Sequence, residues 1–381
     1  MVLVACLVAL QLGCGDDGAT SGASAGFSAP LPARTLVTAD WLSGSLSFVD
    51  RDRIAGAAST RTDVLDRTLD LSAYVPGPFV LEVTPDASRL LVLTSAGFFG
   101  APGASFLLGE TGGATIPMGR GKFLIIDLRT GRISKELETG DTPSAVAVTP
   151  DSKRAFVAHF GSGDIAVVDL DQGVVTQTVA VGRLTEELAL DDTGSVGMVG
   201  FSTDGSARTF STADLAGSLT TIQLEGDSAG IAFFPGTKVA FMVQAPNPLS
   251  FVSGYSVIDV QDPKAPKVLA DVRDEDTLFI AYPALPLPKR KTVLVPGSEG
   301  QRLKLREYSL ADGVVALRQT IEVGDAELLS VLGISYDGED TVSLAYPRQR
   351  VLIRTNLATK ESRTLAWEQS ALGPADVVEL P

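Results

Sequence analysis

The sequence predicts an all-β fold: a seven-bladed β-propeller of four-stranded antiparallel blades, its ring closed by the C-terminal strand joining the N-terminal blade. Three observations carry this expectation. The stretch Asp141–Gly182 reads as four short strands separated by turns. That unit recurs at about 42 to 52 residues, except where the segment 98–120 adds a loop, and this is the spacing of propeller blades. The first copy lacks its opening strand, and the chain ends on one.

Within the template unit, Ser144–Thr149 is a small, β-branched run, short enough for a strand and too short for an independent helix. Pro150-Asp151-Ser152 then supplies a turn, because Pro fixes φ and the Asp carboxylate caps nearby backbone N–H groups. Arg154–His159 is a second strand, Gly161-Ser162-Gly163-Asp164 a second turn, and Ile165–Leu170 a third strand. Val174–Val181 alternates apolar with polar residues, as a half-wetted outer strand does. One sheet of this size cannot bury both faces, so it needs copies beside it.

The copies are present. Phe79–Asp86 and Arg89–Thr94 match the first two strands, Lys122–Gly131 the third, and Ile133–Gly140 the fourth. Leu188–Gly194 and Ile231–Gly236 stand where Val146–Asp151 stands, and Tyr255–Val260 where Ile165–Leu170 does. Leu332–Gly338 is a late, weaker copy. The pattern Pro-x-x-Val-Ala-Val-Thr-Pro-Asp, then an aromatic-Val pair, then Ile-x-Val-Val-Asp-Leu resembles the YVTN-type β-propeller repeat. Its naming tetrapeptide corresponds to Phe156-Val157-Ala158-His159 and, more loosely, to Leu36-Val37-Thr38-Ala39. The resemblance covers essentially everything after residue 34 and implies kinship with surface-layer and lactonase-like propellers.

Residues 1–13 form an apolar run too short to span a bilayer and placed as a secretory signal. Leu10-Gln11-Leu12-Gly13-Cys14 resembles a bacterial lipobox, which implies cleavage before Cys14 and lipid attachment to its sulfur. The match departs in two places: no Lys or Arg precedes the run, and Gln11 takes the usual Leu position. The competing reading is an ordinary signal peptide. Cys6 and Cys14 are the only cysteines, so a lipidated domain has no thiol left for a disulfide or a metal. Residues 14–33 then form a Ser/Ala/Gly/Pro-rich tether, and 34–381 the propeller.

Arg34–Asp40 enters as a second strand, followed by Ser45–Asp50 and Thr68–Ser72. Pro374–Pro381 has the missing first-strand pattern, so the two ends are expected to share a sheet and remove an exposed edge. Six or eight blades remain open, because prolines distort Leu278–Leu287. The segment 98–120 is a glycine-rich insertion carrying Phe98, Phe99 and Phe106, a length more often functional than neutral.

The net charge of −15 gives no basic footprint, so nucleic acid is not an expected partner. The single histidine, His159, rules out a multi-histidine metal centre, and neither a metal nor another cofactor is expected. Its first reading is structural, its second a ligand or base in the channel. Glu82 and Glu379 are expected in the first-strand slot that Ala147, Ala189, Ala232 and Gly333 fill elsewhere. Acids there are candidates for cation binding or acid/base work, against the alternative of pairing with Arg34 or Arg89. Asp271, Asp274, Glu275 and Asp276, and separately Asp337, Glu339 and Asp340, are acidic turns without Ca²⁺-loop spacing. Trp41 and Trp367 become neighbours once the ring closes.

The expected role is an envelope-tethered, lipid-anchored scaffold, at the outer membrane or cell surface, binding a protein or small-molecule ligand on one propeller face. A lactonase-like hydrolase is the alternative. A structural or adhesive surface protein is the third reading.

Overall fold

A computed structural model describes residues 26–32, 34–54, 59–96, 120–201, 205–245, 253–274, 283–325, 331–367 and 372–380. The signal segment, Cys14, most of the tether, residues 97–119 of the insertion, Glu275 and Asp276 lie outside them.

Seven antiparallel sheets follow one another along the chain. Blade 1 orders Asp376–Glu379, Thr35–Asp40, Ser45–Asp50 and Leu65–Asp70. Blades 2 to 6 open with the inner strands Pro78–Val83, Pro143–Val148, Thr185–Leu190, Asp227–Phe233 and Leu285–Leu287. Blade 7 opens with Gly333–Tyr336 and gains a fifth strand, because Ser59–Thr60 runs parallel to its outer strand Ser362–Ala366. The proline-rich region thus keeps a blade, with an inner strand of only three residues.

Burial explains why the sequence reads as it does. The second strands Thr35–Asp40 and Val196–Phe201 are buried at every residue, since each lies between two neighbouring blades. The outer strand Val174–Ala180 is exposed except at half-buried Val175 and Val179. Successive side chains of a buried strand face opposite neighbours. Leu90 and Val92 join a cluster with blade 1, whereas Leu91 and Leu93 join one with blade 3. There are seven such clusters, one at each boundary between blades. The seventh unites Leu36 and Val49 with Leu352, Leu365 and Trp367, so the core is continuous around the circle.

The seam is made by backbone pairing of Leu36 to Glu379 through Ala39 to Asp376. Trp367 Nε1–H donates to Asp40 Oδ1 across it. Trp41 packs the other way, edge-on to Phe79 with ring centroids 5.0 Å apart.

Residues 26–32 lie against blades 1 and 2. The Phe27 N–H donates to the Thr130 carbonyl at 2.6 Å, and its ring meets Phe48 edge-on at 5.0 Å. Arg67 stacks over that ring and donates to the carbonyls of Ala29 and Pro30. A Cβ at Gly131, where φ is +65°, would fall within 2.3 Å of the Phe27 ring, so glycine is required there.

Candidate functional site: carboxyls of the central channel

Inner strands of the blades surround the channel, and the ladder registers decide what each of their side chains faces. Glu82 lies opposite Leu91, the third residue of its six-residue second strand. Ala147, Ala189 and Ala232 share that slot, opposite Phe156, Met198 and Phe241. Glu379 does not. It lies opposite Leu36, the second residue of Thr35–Asp40, and one residue of register reverses the face of a strand. Gly333 is also displaced, opposite Ala345, the fifth residue of Thr341–Tyr346.

Register therefore separates the two glutamates. The Glu379 side chain is only 2% exposed and points toward blade 7. There it is ion-paired to Arg51, accepts from the Ser343 hydroxyl at 2.7 Å, and lies 3.4 Å from Arg354 Nη2. It is a seam ion, paired to arginines other than the Arg34 and Arg89 anticipated.

Two acids that sequence reasoning passed over take the channel position instead. Asp376, opposite Ala39, and Glu187, opposite Gly200, share the fifth-residue slot of Gly333. Asp376 bridges blades: it accepts the Leu81 N–H of blade 2 at 2.8 Å, and its neighbour in blade 7 is Gly333. A Cβ on Gly333 would come within 2.2 Å of Asp376 Oδ1, so the glycine makes room for the carboxyl. The available signal was the acid pair Glu186-Glu187 inside an otherwise apolar strand, and Asp376 inside the closing one.

Glu82, Glu187 and Asp376 are half-buried, and none is ion-paired among the described residues. Loss of hydration dominates their electrostatics. It pushes the Glu82 carboxyl up to about 8, with the charge of Asp376 adding to the effect. It pushes Asp376 up to about 7 against the opposing N–H bonds of Leu81 and Val377. Glu187 is driven well above the carboxylate range by burial, then by Glu186 and Asp376. The charge of Asp376 thus adds to the rise at both glutamates, and all three carboxyls hold their protons above the ordinary carboxylate range.

His159 is placed elsewhere. It is fully buried at the end of its strand, with Nε2 2.8 Å from the Thr139 hydroxyl and Nδ1 2.8 Å from Asp164 Oδ1. A Cβ at Gly140 would lie 2.6 Å from the imidazole, so that glycine seats the ring. The histidine joins the end of blade 2 to blade 3 and does not reach the channel acids by any hydrogen bond.

Four members of the acidic clusters are engaged, and Asp271 lies within the outer strand Lys267–Arg273 and not in a turn. Asp271 accepts from Gln244 at 2.6 Å and from Ser256 at 3.0 Å. Asp274 pairs with Arg306 and Asp340 with Arg290, while Asp337 caps the N–H groups of Glu339 and Thr341. Among the described residues no group of three or more His, Cys, Asp or Glu is disposed to hold a metal ion.

No family model matches the chain, and no curated protein matches it in sequence. Similarity lies in the fold. A functionally unknown protein from Desulfotomaculum acetoxidans DSM 771 superposes with a TM-score of 0.63 at 11% identity, covering 91% of this chain and 99% of that one. Kuenenia stuttgartiensis hydrazine synthase gives 0.57 at 15% identity over 74% and 77%. The β-propeller domain of Myceliophteria thermophila Cps50 (Swd1) gives 0.54 at 10% identity over 75% and 85%. At such identities the likeness shows the propeller and nothing of its use.

Proposed function

We propose that this is a lipid-anchored propeller of the cell envelope, related to the YVTN-type repeat proteins, that binds a ligand or protein by accepting a positively charged group into its channel. One observation carries the binding reading. Three half-buried carboxyls on three different inner strands have no ion-pair partner among the described residues. An ammonium or guanidinium group would release their protons and relieve their mutual repulsion. Titration calorimetry with a linear polyamine tests it: affinity rises with pH through 7 to 8 and falls in a Glu82→Gln/Asp376→Asn variant. Equal affinity for both proteins would overturn it. For the anchor, Cys14→Ser should move the protein from the membrane to the soluble fraction. An unchanged distribution would remove that part of the proposal.

A hydrolase is the second reading, favoured by the same acids, because a carboxyl titrating near 7 suits general acid or base work. Turnover of any lactone in a panel, abolished by Asp376→Asn, would establish it over the scaffold.

A further inference from the structure

We propose that blade 7 carries a second site, a pocket for a small oxyanion of the carboxylate or phosphate type. A cavity of about 250 Å³ is lined by Thr341, Arg354, Asn356, Thr359, Glu361 and Arg363. None of the three channel carboxyls lines it, so it stands independently of the function proposed above.

Its two arginines lie directly opposite each other on adjacent antiparallel strands. Like charges in that arrangement repel and destabilise a sheet unless something negative lies between them. The protein satisfies each only in part. Arg354 Nε donates to the Ser343 hydroxyl at 3.2 Å, and its Nη2 lies 3.4 Å from Glu379 and 3.9 Å from Asp337. Its Nη1 has no hydrogen-bond partner among the described residues. Arg363, an exposed residue, donates from Nη1 to the Ile54 carbonyl at 3.1 Å, and its Nε and Nη2 have no partner among the described residues.

The remaining wall is also rich in donors. Asn356 uses its amide oxygen to accept the N–H groups of Ala358 and Thr359 at 2.9 and 2.8 Å. Its two amide hydrogens have no acceptor among the described residues, and neither does the Thr341 hydroxyl. Glu361 is the one acid in the lining; Glu379 and Asp337 offset Arg354 from behind the wall, so Arg363 supplies the charge open to a guest. A cationic or apolar guest would leave these donors unmet. The planar guanidinium fork fits the paired oxygens of a carboxylate or phosphate.

The test is titration calorimetry of the full chain with sodium acetate, inorganic phosphate and sulfate, against sodium chloride of equal ionic strength. Saturable binding of acetate or phosphate, absent with chloride, is expected, and the stronger of the two identifies the group. Arg363→Gln weakens that binding about tenfold, as loss of a charge-assisted hydrogen bond does. Glu361→Gln tightens it severalfold by removing the like charge. Thr359→Val, at an exposed position, serves as a second variant with little effect on folding, and weakens binding less than Arg363→Gln. The thermal midpoint of each ligand-free variant checks that it folds. No saturable binding of any oxyanion, or affinities unmoved by Arg363→Gln and Glu361→Gln in well-folded proteins, would overturn the site.

Discussion

The indole N–H of Trp367 donates to Asp40 Oδ1 at 3.0 Å, between residues 327 positions apart in the chain. Asp40 also accepts from the hydroxyls of Ser47 and Thr38, and Arg61 stands 3.3 Å away. Burial still wins over these partners and holds its carboxyl above the ordinary range. Trp367→Phe keeps an aromatic ring but deletes the donor together with part of a buried ring system. It should destabilise the protein by about 1–3 kcal/mol, read from urea denaturation, because a buried acceptor loses a partner.

Glu379 is the negative centre between Arg51 and Arg354. Glu379→Gln removes the charge shared by two guanidinium groups and leaves Asp337, 3.9 Å from Arg354 Nη2, as the remaining acid in ion-pair range among the described residues. A loss of about 3–5 kcal/mol is expected at pH 7. A change below about 1 kcal/mol in the same denaturation experiment would mean that water, not the protein, solvates those arginines.

The channel carboxyls impose a pH dependence of definite sign. A group whose folded pKa is raised keeps its proton after the unfolded chain has lost it. The stability it contributes is full below the ordinary carboxylate pKa and is lost as pH rises, through about 7 for Asp376 and about 8 for Glu82. Glu82→Gln should therefore match the wild type at pH 4 and exceed it at pH 9. The gain is of the order of 1–3 kcal/mol, allowing for water in the channel. Thermal midpoints measured across that range would show the two curves diverging, and parallel curves would refute the assignment.

Removal of residues 374–381 deletes the inner strand of blade 1 and with it Asp376 and Glu379. The second strand Thr35–Asp40 would then present an unpaired edge to the channel. A lowered thermal midpoint and a broadened, less cooperative transition are expected by calorimetry, with aggregation of the truncated chain.

The blades were legible because their punctuation is local. In Thr84-Pro85-Asp86 and Thr149-Pro150-Asp151 the Thr hydroxyl donates to the Asp carboxylate at 2.7 and 2.6 Å. The two turns are one structure written twice, and a motif search finds them. Ring closure was legible too, from a missing strand at one end and a spare one at the other. The candidate site was not, since register depends on small irregularities. Blade 2 shifts its pairing between Pro78 and Val80, and blade 4 shifts between Thr185 and Glu187. One residue of slippage decides whether a glutamate meets an arginine or the channel, and nothing in the local sequence near Glu379 announces the outcome. Asp376 escaped notice for a related reason. Its significance comes from Gly333 and Leu81, which reach it only when the circle closes.

Phe27 fastens the entering chain to the flank of blades 1 and 2. A fusion joined at Gly26 is therefore expected to start beside the outer strands of those two blades, their inner strands lying at the opposite edge of each sheet.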